Sequence, residues 1–313
     1  MRVAVIGGSG FVGGYLVDVL LDAGHEPSLL VRPGSEHKVR RADACRITVG
    51  DLAAAGAIRT VLDGCGAVIY NVGILRENRR HGITFEEMHY RGAVRVIDAA
   101  KEADVSRFVM MSANGVRRPG TGYQETKLRA EEYLEGSGLD YTIFRPSVIF
   151  GDPRGTLEIA TQLYRDMIRV PVPAVGFHTG WNPAKGEVLM SPVHVEDVAD
   201  AFILSLNNME TVGKAYELGG PEILSWTTML RRVAGVVGKK KIILPMSIGF
   251  MKLGATLFDW LPFFPVTRDQ LTMLADGNVV DPAQLQILLG RELRRFDTGN
   301  LSYLKQPVSR EGT

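Results

Sequence analysis

Tyr123 and Lys127 stand four residues apart in Tyr123-Gln124-Glu125-Thr126-Lys127. On a helix that spacing puts a phenol and an ammonium one turn apart on the same side. A free phenol titrates at about pH 10 and carries protons poorly at neutrality. A cation one turn away favours the phenolate, so the pair predicts a tyrosine of lowered pKa. Such a group passes a proton to or from a carbonyl, while the lysine's remaining donors hold a ribose. Ser112 follows the buried strand expected at Arg107 to Met111. From that strand end its hydroxyl can hydrogen-bond the same carbonyl oxygen. A Tyr/Lys pair at this spacing is also common on purely structural helices, and it gains weight only from the segments around it.

The strongest of those segments is Gly7-Gly8-Ser9-Gly10-Phe11-Val12-Gly13. It lies between a short β-rich run, Val3 to Ile6, and a helical pattern with Leu16, Val17, Leu20 and Leu21 on one face. A glycine pattern alone says little, but strand, glycine turn and helix in that order specify a dinucleotide loop. Gly7 permits the tight turn, Gly10 lets backbone approach a pyrophosphate, and Gly13 lets the helix pack close to the strand. The helix N-terminus favours the phosphate charge. About 20 residues further on, an NAD-selective site places an acid at the end of the second strand. Here the place holds Arg32, followed by His37, Lys38, Arg40 and Arg41. A guanidinium pairs bidentately with a 2′-phosphate, so the expected cofactor is NADP(H), with NAD(H) the weaker alternative. The same cations could serve only to solvate a surface loop. Asp51 and Leu52, ending the third strand, are expected near the adenine, although Asp51 equally suits a turn. Val72 and Gly73, after the fourth strand, are also assigned to the cofactor.

The elements that must position these residues alternate along the chain. Strands are expected at Val3 to Ile6, Ser28 to Val31, Cys45 to Val49, Ala67 to Asn71, Arg107 to Met111 and Tyr141 to Phe144. Helices are expected over Phe85 to Ala103 and Tyr123 to Gly136. Such alternation makes βαβ units and a parallel sheet, an α/β doubly wound Rossmann fold. Residues 1–150 with about 187–220 are assigned to it, and about 151–186 with 221–313 to a smaller, mostly helical C-terminal substrate lobe. Ile242 to Phe264 is rich in aliphatic and aromatic residues. It suits a pocket for a quinone or other lipid-like molecule, or contact with a membrane surface through Trp260, Phe263 and Phe264. Lys239, Lys240 and Lys241 would then face anionic headgroups. Ordinary core packing is the competing expectation.

Composition narrows the classes. Across 313 residues, 36 lysines and arginines face 35 acids, so no single-sign field draws in nucleic acid. Cys45 and Cys65 form neither a CxxC nor a Cys/His cluster, which predicts no metal site and a reducing compartment. No uncharged apolar run reaches the roughly 18 residues of a spanning helix, because Lys252 and Asp259 interrupt Met246 to Phe264. The first strand is expected to begin at Arg2, so neither a signal nor a transit peptide is expected. The expected location is the cytoplasm, with the apolar lobe as the means of any peripheral membrane association.

Taken together, Gly7 to Gly13, Tyr123 to Lys127, Arg145-Pro146-Ser147-Val148-Ile149-Phe150-Gly151 and Pro192-Val193-His194-Val195-Glu196-Asp197-Val198-Ala199 resemble the extended and atypical, epimerase/dehydratase-like short-chain dehydrogenase/reductase superfamily. Within it, three runs are similar to bacterial relatives of the nucleotide-binding accessory subunit of mitochondrial respiratory complex I. They are Tyr216-Glu217-Leu218-Gly219-Gly220-Pro221-Glu222, Leu261-Pro262 through Val266-Thr267-Arg268-Asp269-Gln270-Leu271, and Asp276-Gly277-Asn278-Val279-Val280. The resemblance implies that Tyr123 is an acid–base, that Lys127 holds the ribose, and that Pro146, Ser147 and Val148 line the nicotinamide end. It implies an architectural role for His194 to Asp197. The chain departs from the active pattern where His89 replaces a relay asparagine and Ala113 follows Ser112. His89 would then either shuttle protons or simply bond to backbone. Three readings follow: a cofactor-bound accessory or assembly factor linked to respiratory or quinone metabolism, an NADP(H)-dependent reductase of an apolar carbonyl or alcohol, and a redox sensor for a protein partner.

Overall fold

Short apolar runs, most of them buried on both faces, are the signature of a covered parallel sheet. They form β1 (Arg2–Ile6), β2 (Glu26–Val31), β3 (Arg46–Val49), β4 (Ala67–Tyr70), β5 (Arg107–Met111) and β6 (Asp140–Pro146), with only the edge strand β3 left largely uncovered. In the computed structural model, which describes residues 1–180, 186–249, 251 and 268–305, a seventh strand, Lys214–Leu218, joins the opposite edge beside β6. From that edge the order runs through β6, β5, β4, β1, β2 and β3. The pairings from β3 to β6 are all parallel. The chain crosses from one half of the sheet to the other between β1 and β4, so a crevice opens at their carboxyl ends, where such sheets take ligands. Ile6 lies opposite Tyr70, and the Asn71 N–H donates to the Ile6 carbonyl at 2.8 Å, one step past the strand.

Helix α1 (Phe11–Asp22) buries Val12, Leu16, Val17 and Leu20 on its inner face. A short helix α2 (Ala55–Leu62) stands between β3 and β4, where the sequence pattern marks none. Asp51 Oδ1 accepts from the N–H groups of Ala53 and Ala54 just before it. Phe85 to Ala103 is helical throughout but not uniform. Glu86–Arg91 has the wider π register and continues into α3 (Gly92–Glu102). Two contacts accompany the wide turn. The Tyr70 hydroxyl donates to the Met88 carbonyl at 2.8 Å, and Gly92 sits where a Cβ would lie 2.7 Å from Leu52 Cδ1. Such turns insert one residue into a helix and re-aim the side chains beside it. Helix α4 (Gly122–Glu135) starts in a capping box, with the Thr121 hydroxyl and the Gln124 side chain each satisfying the other's backbone N–H. Ala4, Ile6, Val68, Tyr70, Phe108 and Met110 pack with α2, α3 and α4 in one buried cluster.

The chain divides into two compact units, one of residues 1–146, 196–217 and 287–290 and the other of residues 147–195, 218–286 and 291–313. The second has its own core, in which Phe150, Met229, Leu230, Val233 and Phe296 are buried. It is less helical than the sequence suggests. Ile243–Ser247 is a strand, paired in parallel with Ala174–His178, because the β-branched start of an otherwise apolar run favours extension. Trp226, opening the helix Trp226–Val236, donates its indole N–H to the Val175 carbonyl at 3.0 Å. Trp260, Phe263 and Phe264, expected at a membrane or lipid surface, lie outside the described residues, as does most of Leu261 to Arg268. Among the described residues no helix is long and apolar enough to cross a membrane, and no His, Cys, Asp and Glu cluster could hold a metal.

Candidate dinucleotide and catalytic site

The glycine loop has the shape its sequence requires. Gly7 has φ +97°, and a Cβ there would stand 2.3 Å from the Asn71 carbonyl oxygen. A Cβ on Gly13 would come within 2.1 Å of the Gly7 oxygen and 2.7 Å of Gly8 Cα, so the helix can approach the loop only because this residue is bare. Gly10 is exposed, and a Cβ on it would meet only the Gly7 oxygen, at 3.4 Å. The first intrahelical bond is Gly14 N–H to Gly10 O, and no side chain caps α1. The N–H groups of Phe11, Val12 and Gly13, next to Ser9, therefore remain for an anion at the positive end of the helix. No acid occupies the first turn to oppose it.

Beyond β2 the cations divide. Arg40 pairs with Asp18 at 3.6 Å and Arg41 with Asp22 at 2.6 Å, both on α1. Arg32 is exposed; its carbonyl accepts from the Ser35 N–H at 3.0 Å, but its guanidinium has no hydrogen bond or ion pair among the described residues. Of the three arginines, only Arg32 has a guanidinium without a partner among the described residues. Asp51 takes the turn role through its bonds to Ala53 and Ala54, and Leu52 is buried in the core.

Lys127 draws the strand ends together. Its Nζ donates to the Val72 carbonyl at 2.9 Å and the Met111 carbonyl at 2.9 Å, and a Cβ on Gly73 would lie 3.8 Å from it. An ammonium has three donors, so one is unspent. Burial pulls this lysine down to about 8, against the opposing pull of Glu131 one turn further along α4. Glu131 is itself buried and bonded through both oxygens to Arg145. Ser112 is 3% exposed; its N–H donates to the Phe144 carbonyl at 2.7 Å, and its buried Oγ has no hydrogen-bond partner among the described residues. Tyr123 is partly exposed, walled by Phe85 and His89 with ring centroids at 5.8 and 5.1 Å, both edge to face. Burial pushes its phenol up to about 12. That overturns the expected lowering by Lys127, because the ammonium is turned to two carbonyls while the phenol sits among rings that solvate no charge.

His89 is held on both sides. The Ile74 N–H donates to its Nε2 at 3.0 Å, so that nitrogen carries no proton. Its Nδ1 lies 3.3 Å from Thr126 Oγ1, whose own proton is directed at the Gly122 carbonyl at 2.7 Å, so Nδ1–H is the donor. Burial, reinforced by Lys127, depresses its pKa to about 2. The ring is a neutral brace between α4 and the loop after β4, and the proton-shuttle expectation does not survive that arrangement. Sequence reasoning passed over Thr126 and Glu131; the spacing of Tyr123, Lys127 and Glu131 at successive turns was the available signal.

Glycine loop, Arg32, Val72, Gly73, Ser112, Tyr123, Lys127 and Pro146 all belong to the first unit. Pro146 ends β6, and its carbonyl accepts from Asn114 N–H at 2.9 Å. Ser147 and Val148 belong to the second. There Ser147 donates from its N–H to Leu218 O and from its hydroxyl to Asn278 O, and the Val148 carbonyl accepts from Val193 N–H.

A parallel sheet with this strand order, and a bare-backbone loop at its switch point, defines a Rossmann dinucleotide-binding protein of the short-chain dehydrogenase/reductase type. The chain belongs to the NAD(P)H-binding family, whose model matches residues 7–168. It is similar to the ceramide reductase of Caulobacter vibrioides, at 27% identity over 267 residues, 82% of this chain and 78% of that protein. It is also similar to NADH dehydrogenase [ubiquinone] 1 alpha subcomplex subunit 9, mitochondrial, of Mus musculus, at 25% identity over 94% of this chain and 80% of that one. Among solved structures, the Thermus thermophilus UDP-glucose 4-epimerase in complex with NAD superposes with a TM-score of 0.71 at 19% identity, covering 97% of this chain and 98% of the other.

Proposed function

We propose that the protein is an NADP(H)-dependent reductase acting on an apolar, quinone- or lipid-like carbonyl compound. The observation that carries this reading is Ser112 Oγ, a buried hydroxyl with no partner among the described residues, on the strand end whose Met111 carbonyl holds a lysine with one donor unspent. An orphaned buried hydroxyl costs about 1–3 kcal/mol, and a ligand's carbonyl oxygen would supply the missing partner. The residues suit a dinucleotide: bare N–H groups for the diphosphate, Arg32 for a 2′-phosphate and Lys127 for a ribose. When bound, the reduced dinucleotide supplies the electron pair. Ser112 donates a hydrogen bond to the substrate's carbonyl oxygen, and Tyr123 gives that oxygen a proton. A phenol held near 12 stays protonated at neutral pH, so Tyr123 has a proton to give. The name of the Caulobacter relative agrees with a lipid substrate.

Consumption of NADPH with long-chain ketones, followed by absorbance, tests this. Tyr123→Phe is expected to lower kcat by roughly 10²–10⁴-fold with an unchanged dissociation constant for NADPH. Undiminished turnover in that variant removes Tyr123 from the chemistry. Cofactor choice is tested separately. Arg32→Glu is expected to weaken NADPH by about tenfold or more while leaving NADH nearly unaffected. Equal affinities of the native protein for the two dinucleotides would count against the role of Arg32.

A second reading is a cofactor-holding accessory protein, peripheral to a respiratory membrane. The high phenol pKa and the immobilised His89 favour it, together with the likeness to the mitochondrial subunit. It expects NADPH to raise Tm without turnover of any ketone, and the protein to co-purify with a partner or with membranes.

A further inference from the structure

Lys127 can serve a ribose only as an ammonium. Its Nζ donates to the Val72 and Met111 carbonyls, both at 2.9 Å. A charged amine has a third N–H to give a ribose hydroxyl, whereas a neutral amine has two, and the carbonyls take both. The side chain is 4% exposed, and burial favours the neutral form. A neighbouring negative charge is needed to keep the third proton in place.

The groups around the lysine offer one such charge. On α4, Tyr123 lies one turn back, and burial pushes it up to about 12, so it is neutral. His89, from the wide turn at Glu86–Arg91, is neutral as well, depressed to about 2 by burial and by Lys127 itself. The ends of β4 and β5 bring only backbone carbonyls to the ammonium. One turn forward, Glu131 is 1% exposed, and its attraction opposes the effect of burial on Lys127. Arg145, on β6, holds that carboxylate. Its Nε donates to both Glu131 oxygens at 3.1 Å, and its Nη2 donates to Oε2. A guanidinium on both oxygens keeps a carboxylate charged where burial alone would favour its protonation. Arg145 also feels Glu217 on the seventh strand and Glu135 further along α4, so its charge is met by three acids rather than by Glu131 alone. No side-chain hydrogen bond or ion pair joins Glu131 to Lys127 among the described residues, which leaves charge as the means of its action.

We propose that Glu131, fixed by Arg145, is a positioning residue for the dinucleotide, its charge keeping on Lys127 the third N–H that a ribose hydroxyl accepts. This rests on the reading of Lys127 as the ribose ligand, and it holds whether or not the bound dinucleotide is turned over. Fluorescence titration of the full chain with NADPH, from about pH 6.5 to about pH 9, tests it without turnover. In the native chain the dissociation constant is expected to stay flat below about pH 7.5 and to rise by up to about tenfold per pH unit above about 8. Glu131→Gln is expected to start that rise about one pH unit earlier. It then binds roughly fivefold more weakly than the native chain at about pH 8, and nearly as tightly at about pH 6.5. Glu135→Gln, exposed and one turn further along α4, is expected to follow the native profile. Should Glu131→Gln fail to fold, Glu131→Gln combined with Arg145→Gln leaves no unpaired charge and is expected to show the same early rise.

A loss of affinity that is equal at every pH would mean that Glu131 only supports packing, and overturns the proposal. So does a native-like profile in the variants lacking Glu131, or an equal shift in Glu135→Gln. Absence of NADPH binding at about pH 7 removes the ribose reading of Lys127 and this inference with it. Binding with a flat native profile removes the inference alone.

Discussion

A phenol and an ammonium one turn apart are expected to share their electrostatics, yet Tyr123 and Lys127 are pushed in opposite directions by one cause. Burial disfavours the charged form of each, raising the tyrosine to about 12 and lowering the lysine to about 8. His89 follows the same rule, and its effect on stability can be measured. In the unfolded chain it binds a proton below about pH 6.5, whereas in the native protein it stays neutral down to about 2. Across that window the unfolded state binds more protons, so stability falls as pH falls through 6.5, by up to about 1.4 kcal/mol per pH unit. Denaturant unfolding from pH 7 to 4 should show that slope, and His89→Asn should flatten it. The same slope in both proteins would mean that His89 is not held neutral.

At the scale of elements, α4 matters because one helix carries Tyr123, Lys127 and Glu131 on successive turns. Its start is set by Thr121 and Gln124, whose side chains satisfy N–H groups that the helix leaves unpaired. Thr121→Ala is expected to cost about 1 kcal/mol, read as a lowered Tm, and to weaken NADPH binding as the first turn loosens. An unaltered Tm would show that tertiary packing alone sets the N-terminus. The wide turn at Glu86–Arg91 serves the same site from the other side, since it carries His89 between Phe85 and Tyr123. Its register was not legible in the sequence. The apolar spacing of Phe85 to Ala103 reads as one helix, and the inserted residue becomes visible only where Tyr70 meets the Met88 carbonyl.

Across the whole molecule, each compact unit has its own buried cluster. Units with separate cores open separately, and a ligand stabilises the one that holds it. Hydrogen exchange with saturating NADPH should therefore slow in residues 7–14 and across α4, and change little in the helix Trp226–Val236. Equal slowing in both would mean that the chain opens as one body.

Much of this architecture was legible beforehand, because it rests on local patterns. The period of apolar residues sets strand and helix, and glycines at 7 and 13 are demanded by backbone contacts that any chain making this turn must form. Other features depend on residues far apart in the chain. Asp18 and Asp22 claim Arg40 and Arg41 but not Arg32, and the Val72 and Met111 carbonyls claim Lys127. The surroundings of Tyr123 then reverse the expected sign of its pKa shift, and Arg145 claims Glu131. Sequence by itself determined the dinucleotide fold and the residue types at its mouth. Only tertiary structure decided which charges remain free and which protons are held, since both depend on burial and on partners distant along the chain.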